Sequence, residues 1–157
     1  MKKISIITGP IRTGKTTRLM HWASTQKSIE GLFQPVIDEK RFIYHTSSRT
    51  LKMLEVPKNS DGDNFIEIGN YRFSREVFNW GQSVLLNAIK KDLDWLVIDE
   101  IGPLELEGSG LEPAISEILK DRDSFKGEIL CVVRDSIMER FLEHYKLHSK
   151  FQLFVLP

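Results

Sequence analysis

The stretch "ISIITGPIRTGKTT", residues 4–17, limits the possible folds more than any other part of the chain. It opens on a β-branched run that reads as a strand. It then fits G-x-x-x-x-G-K-[ST] through Gly9, Gly14, Lys15 and Thr16. The glycines let the backbone curl so that several N–H groups point inward, and a following helix adds its own unpaired N–H groups. Such a loop needs a buried strand before it and a helix after it, which is the geometry of a sheet with helices packed on it. With Gly near ~7% of residues, a chance match is expected in well under ~1% of chains of this length.

The rest of the chain agrees with that geometry. The pattern predicts a helix over 15–29 with Gly31 as its stop, and a helix over 74–90 capped by Ser74. Val77, Val84, Leu85, Ala88 and Ile89 fall on one face of the second helix. Pro113 suits the first turn of a helix through about residue 121, and Asp135 suits the cap of one carrying Met138, Phe141, Leu142 and Tyr145. "WLVID", "EILCVV" and "FQLFVL" read as apolar strands. Continuous apolar strands between amphipathic helices predict an α/β fold with a mostly parallel central sheet, covered on both faces in three layers. Residues 32–73 break into short strand-like pieces and are expected to form an antiparallel β excursion. No linker divides residues 1–157, so one domain is expected.

The run "WLVIDEIGPLEL" places Asp99 and Glu100 side by side at the end of a buried strand. Two like charges there are costly unless a cation or a reacting group needs them. A phosphate loop supplies both needs. Gly9, Pro10, Ile11, Arg12, Thr13, Gly14, Lys15, Thr16 and Thr17 are the candidate nucleotide-binding residues, with Lys15 reaching the β- and γ-phosphates. Thr16 and Asp99, expected at the end of a neighbouring parallel strand, are the candidate ligands of Mg²⁺. Glu100 is the candidate base for a water attacking the γ-phosphate.

Bulk composition removes other classes. Lys plus Arg and Asp plus Glu each number 22, so nothing marks a chain that binds nucleic acid by overall charge. The basic start "MKK" is followed by only "ISII" before polar residues, too short for a signal peptide, and no run reaches the ~18 apolar residues of a membrane span. The one cysteine, Cys131, sits in "ILCVV" and reads as a small buried hydrophobe, which fits a cytoplasmic setting. His144 and His148 lack the further ligands that a metal pair would need. His21 and His45 have no partner that the sequence names.

"ITGPIRTGKTT" together with "VIDEIGPLEL" resembles the small P-loop nucleoside-triphosphatase family of the cancer-related and thermophilic type. The string Asp-Glu-Ile-Gly-x-x-Glu-Leu stands here at residues 99–106, with "GLFQPV" and "IGNYRFS" at matching places. The resemblance covers roughly residues 2–133. It departs at Ile11-Arg12, where the family usually has Pro-Gly, and the family's Asn-Arg motif beyond the last strand has no counterpart here. The resemblance implies slow Mg²⁺-dependent hydrolysis of several nucleoside triphosphates, with Lys15, Thr16, Asp99 and Glu100 in the roles above and Glu105 near the site.

Catalysis of phosphoryl transfer also calls for a cation at the developing charge. Arg134, just past the strand "EILCVV", is the expected one, ahead of Arg12 in the loop. Two other classes share the phosphate loop. A nucleotide or small-molecule kinase would add an acceptor pocket and a lid of arginines, for which the excursion offers Arg41, Arg49, Arg72 and Arg75. A nucleotide-binding switch would turn over only with a protein partner.

Overall fold

The computed structural model describes residues 2–10, 14–59, 62 and 64–157; the expectations for Ile11, Arg12 and Thr13 lie outside the described residues. Five strands form the parallel part of the main sheet: β1 (Ile4–Gly9), β2 (Ile29–Phe33), β8 (Trp95–Ile101), β9 (Glu128–Arg134) and β10 (Phe151–Leu153). Their order across the sheet is β10-β1-β9-β8-β2. All four contacts between these neighbours are parallel, as the alternation of strand and helix requires. β9 therefore lies between the phosphate-loop strand and the Asp99 strand, so β8 is one strand further from β1 than expected.

Beyond β2 the sheet turns antiparallel through β3 (Val36–Ile37), β4 (Lys40–His45) and β5 (Thr50–Met53). β6 (Phe65–Ile68) and β7 (Tyr71–Ser74) form a separate hairpin. This is the predicted excursion, but it opens after Phe33. The predicted first helix is too long. α1 runs over Lys15–Ser24, with Thr25 as its C-cap, and Ile29–Phe33 is strand β2. The polar run "TQKS" has no apolar residue to hold a longer helix on the sheet.

Strand alternation divides the core. One face carries Ile4, Ile6, Leu96, Ile98, Ile129 and Cys131 under α2 (Arg75–Ala88), α4 (Ala114–Lys120) and α5 (Met138–His144). Ser74 caps α2 by accepting from Val77 N at 3.2 Å. The other face carries Ile7, Val97, Leu130 and Val132 under Leu19 and Trp22 of α1. Trp22, Trp95 and Phe154 pack edge to face there, at centroid distances of 5.1 to 5.5 Å. The last strand is shorter than predicted because Phe154 and Leu156 leave it to cover this cluster. Cys131 is fully buried and free, and burial pushes its thiol up to about 12, in keeping with a packing role. Among the described residues no helix is long and apolar enough to cross a membrane.

At the end of the sheet away from the loop, His45 finds a partner in buried Glu30 at 2.6 Å, and Lys91 reaches Glu30 at 2.9 Å. Burial pushes the Glu30 carboxyl up, but hydrogen bonds from Lys91, Ser47 and His45 outweigh it and leave the group below its ordinary value.

Gly31 does not stop a helix; it lies mid-strand opposite Val97. A Cβ there would meet the Val97 carbonyl oxygen at 2.4 Å and the Val97 Cβ at 2.8 Å. Backbone is the obstacle, so no side chain can move aside. Gly31→Ala is expected to destabilise the fold by ~2 kcal/mol or more, as overpacking does in cores. Urea unfolding of both proteins checks this, and equal midpoints would contradict the close approach of β2 and β8.

Candidate active site

Gly14 is the N-cap of α1, at φ 76° and ψ 16°. That left-handed conformation favours glycine and turns the chain from the loop into the helix. Lys15, the first helical residue, folds its side chain back and donates from Nζ to the Pro10 carbonyl. The position a Gly9 Cβ would take is 3.7 Å from Lys15 Cδ, so the lysine lies directly over the end of β1.

Val97 faces α1, so the pleat places Asp99 on the same side, where the helix begins. Thr16 Oγ1 donates to Asp99 Oδ2 at 2.8 Å. Gln34, just past β2, donates from its backbone N to the same oxygen at 3.0 Å and from Nε2 to the Asp99 carbonyl at 3.2 Å. Asp99 is fully buried, and its second carboxylate oxygen, Oδ1, has no hydrogen-bond partner among the described residues. A buried, unpaired carboxylate oxygen beside a threonine hydroxyl suits a hard cation that takes oxygen donors. Among the described residues no group of three or more His, Cys, Asp or Glu could hold a metal by itself.

The adjacency of the two carboxylates has a backbone answer. Ile98 pairs with Cys131 and Ile101 with Val133, so β8 carries one more residue than β9 between those pairs. Asp99 and Glu100 together oppose Val132, a β-bulge that re-aims a side chain. Glu100 sits at φ 59°, a left-handed conformation that costs a non-glycine residue ~1–2 kcal/mol. Its carboxylate lies 3.7 Å from Arg41 Nη1 of β4. The two acids thus diverge, one onto α1 and one onto the excursion. Burial raises the Asp99 pKa to about 6, and the Glu100 charge adds to this. Hydrogen bonds from Gln34 and Thr16 and the charge of Arg41 work the other way.

Arg134 ends β9 and pairs in register with Gly9, at the entry to the loop. Leu130 and Val132 of the same strand face α1, and the Arg134 Nε is buried with no hydrogen-bond partner among the described residues. Glu105 is a different kind of acid. It lies in α3 (Pro103–Leu106) and accepts from Gly102 N at 2.8 Å and Leu111 N at 3.0 Å. It holds together the loop after the bulge. Gln34 and Arg41 are the site residues that sequence reasoning missed as such. For Gln34 a signal existed, a polar residue closing an apolar strand just before Pro35. His144 stacks edge-on against Tyr145, and His148 meets Glu139 at 3.3 Å.

A family model described as NTPase matches residues 4–157. The solution structure of a human cancer-related nucleoside triphosphatase superposes with a TM-score of 0.70 at 21% identity, over 97% of this chain and 87% of that one. The crystal structure of THEP1 from the hyperthermophile Aquifex aeolicus superposes with a TM-score of 0.75 at 20% identity, over 98% and 89%. The P-loop α/β fold is shared with both. No curated protein sequence matches the chain.

Burial raises the Glu105 pKa to about 7 from the ordinary 4.5, only partly offset by its two N–H donors. The folded state therefore keeps a proton that the unfolded chain gives up. The resulting stability is fully present below pH 4.5 and is lost as pH rises through about 7. At ~1.4 kcal/mol per pH unit that window is worth up to ~3 kcal/mol. Glu105→Gln removes the titration and leaves one N–H without its acceptor. The wild type should exceed the variant in stability at pH 5 and lose much of that lead by pH 8. Urea melts at the two pH values measure it; an unchanged gap would contradict the buried, protonated acid.

Proposed function

The chain belongs to the NTPase family, and from that premise we propose that it hydrolyses nucleoside 5'-triphosphates slowly to the diphosphate and phosphate, with Mg²⁺ as cofactor. The observation that carries this reading is the hydrogen bond from Thr16 to Asp99 beside a buried Asp99 oxygen that has no partner among the described residues, one residue before a carboxylate turned away by a bulge. Loop amides and Lys15 hold the phosphate charge at the start of α1. Thr16 and Asp99 would hold Mg²⁺, which would supply neutralisation of the phosphate charge. Glu100 accepts a proton from water. The water oxygen bonds to the γ-phosphorus, and the bond from that phosphorus to the β–γ bridging oxygen breaks, with its electron pair going to the departing diphosphate. Arg134, beside Gly9 in the register, is the cation for the charge that develops.

Two further observations favour hydrolysis over transfer to an acceptor. Arg72 is engaged with Glu67 at 2.6 Å, and Arg41 faces Glu100, so these arginines do not converge on a lid. The reading takes residues 1–157 as one catalytic unit acting in the cytoplasm, for which the buried free Cys131 is suited.

The experiment is phosphate release from each common nucleoside triphosphate, with and without Mg²⁺, for the wild type, Lys15→Ala and Arg134→Ala. Turnover should require Mg²⁺. Lys15→Ala should weaken nucleotide binding by ~2 kcal/mol or more, because a charge-assisted contact is deleted. Arg134→Ala should lower kcat at least ~10-fold with KM little changed, as expected of a contact that strengthens in the transition state. Tight nucleotide binding with no phosphate release until a protein partner is added would instead mark a switch.

A further inference from the structure

Arg41 is anchored more firmly than a surface arginine needs to be. Its backbone N donates to Glu55 Oε1 at 3.2 Å, and its carbonyl accepts from Leu54 N and Glu55 N at 3.0 and 2.9 Å. From that fixed point the guanidinium reaches the Gln34 carbonyl at 3.4 Å and the Glu100 carboxylate at 3.7 Å. Gln34 in turn holds Asp99 by both its backbone N and its side chain. Asp99 and Glu100 are joined by a peptide bond, so the contacts close a ring through β2, β4 and β8. Three-quarters of the Arg41 and Glu100 side chains are covered, with exposures of 25% and 24%.

Glu100 has reason to need such a tether. It is held in a left-handed backbone conformation by a bulge, and its carboxylate has one salt-bridge partner among the described residues, Arg41. We infer that Arg41 is a positioning residue: it holds the Glu100 carboxylate in the direction from which it meets the attacking water, and so couples the antiparallel excursion to the rate of hydrolysis. The inference rests on the proposed role of Glu100 as the water-activating base. Arg41 does not itself touch the phosphates in this account; its effect on turnover passes through Glu100. A base displaced by about 1 Å loses much of its effect.

A double-mutant cycle tests this with wild type, Arg41→Ala, Glu100→Gln and the double variant, each assayed for phosphate release under Mg²⁺ and for nucleotide binding by calorimetry. Arg41→Ala should lower kcat ~10-fold or more in the wild-type background, leave nucleotide affinity within ~3-fold, and lower kcat no further in Glu100→Gln. Arg41→Lys, with a cation but no planar fork, should recover part of the loss. An equal loss in both backgrounds would overturn the inference, since Arg41 would then act without Glu100. A wild-type rate in Arg41→Ala would overturn it also. If Glu100→Gln hydrolyses at the wild-type rate, or no background turns over, the reading of the function fails instead. Urea melts of the same four proteins still decide on the tether. Arg41→Ala should shift the unfolding midpoint more in the wild-type background than in Glu100→Gln, and equal shifts would overturn the link.

Discussion

A fully buried carboxylate next to a second carboxylate is the constraint that the rest of this structure answers. Asp99 cannot sit in the interior beside Glu100 without compensation, and the fold supplies it from three directions. The start of α1 brings the Thr16 hydroxyl. The end of β2 brings the Gln34 N–H and side-chain amide. The excursion brings the Arg41 guanidinium. The phosphate loop and the first core strand after it are thereby locked to the same atom group. This makes the position of α1 against the sheet a matter of hydrogen bonds as well as of Leu19 and Trp22 packing.

The bulge does the complementary work. In a regular strand, Asp99 and Glu100 would point to opposite faces, one toward α1 and one into the core under α2, α4 and α5. One extra residue in β8, with φ 59° at Glu100, keeps the second acid out of that core and brings it to Arg41 of β4. The strain is local and is offset by the packing of the Ile101 side chain, which resumes the core face directly afterwards. Glu105 then fastens the loop that follows, so the segment 99–111 is held at both ends.

Much of this was legible in the sequence, because it depends on local chemistry. The glycine-and-lysine loop, the apolar strands, the Ser74 cap and the acid pair each carry their meaning within a few residues. What escaped depends on where strands lie in space. Nothing local distinguishes Gly31 as a close-approach glycine from Gly31 as a helix stop; only its pairing with Val97 does. The insertion of β9 between β1 and β8 is likewise a property of the whole sheet. Arg41 was visible as one of four arginines weighed for a lid, but its meeting with Glu100 requires β4 to fold back beside β2. The left-handed Glu100 had no signal at all, since glutamate is an unusual residue for that conformation.

The central claim is that the bulge divides two adjacent acids between two tasks, so that Glu100 acts on water while nucleotide is held by other groups. The most direct measurement is the turnover of Glu100→Gln at nucleotide and Mg²⁺ concentrations where calorimetry shows the variant fully bound. The account predicts wild-type affinity within a few-fold together with a loss of ~10²-fold or more in phosphate release, the size of a missing general base. Phosphate release at the wild-type rate from the saturated variant would contradict it.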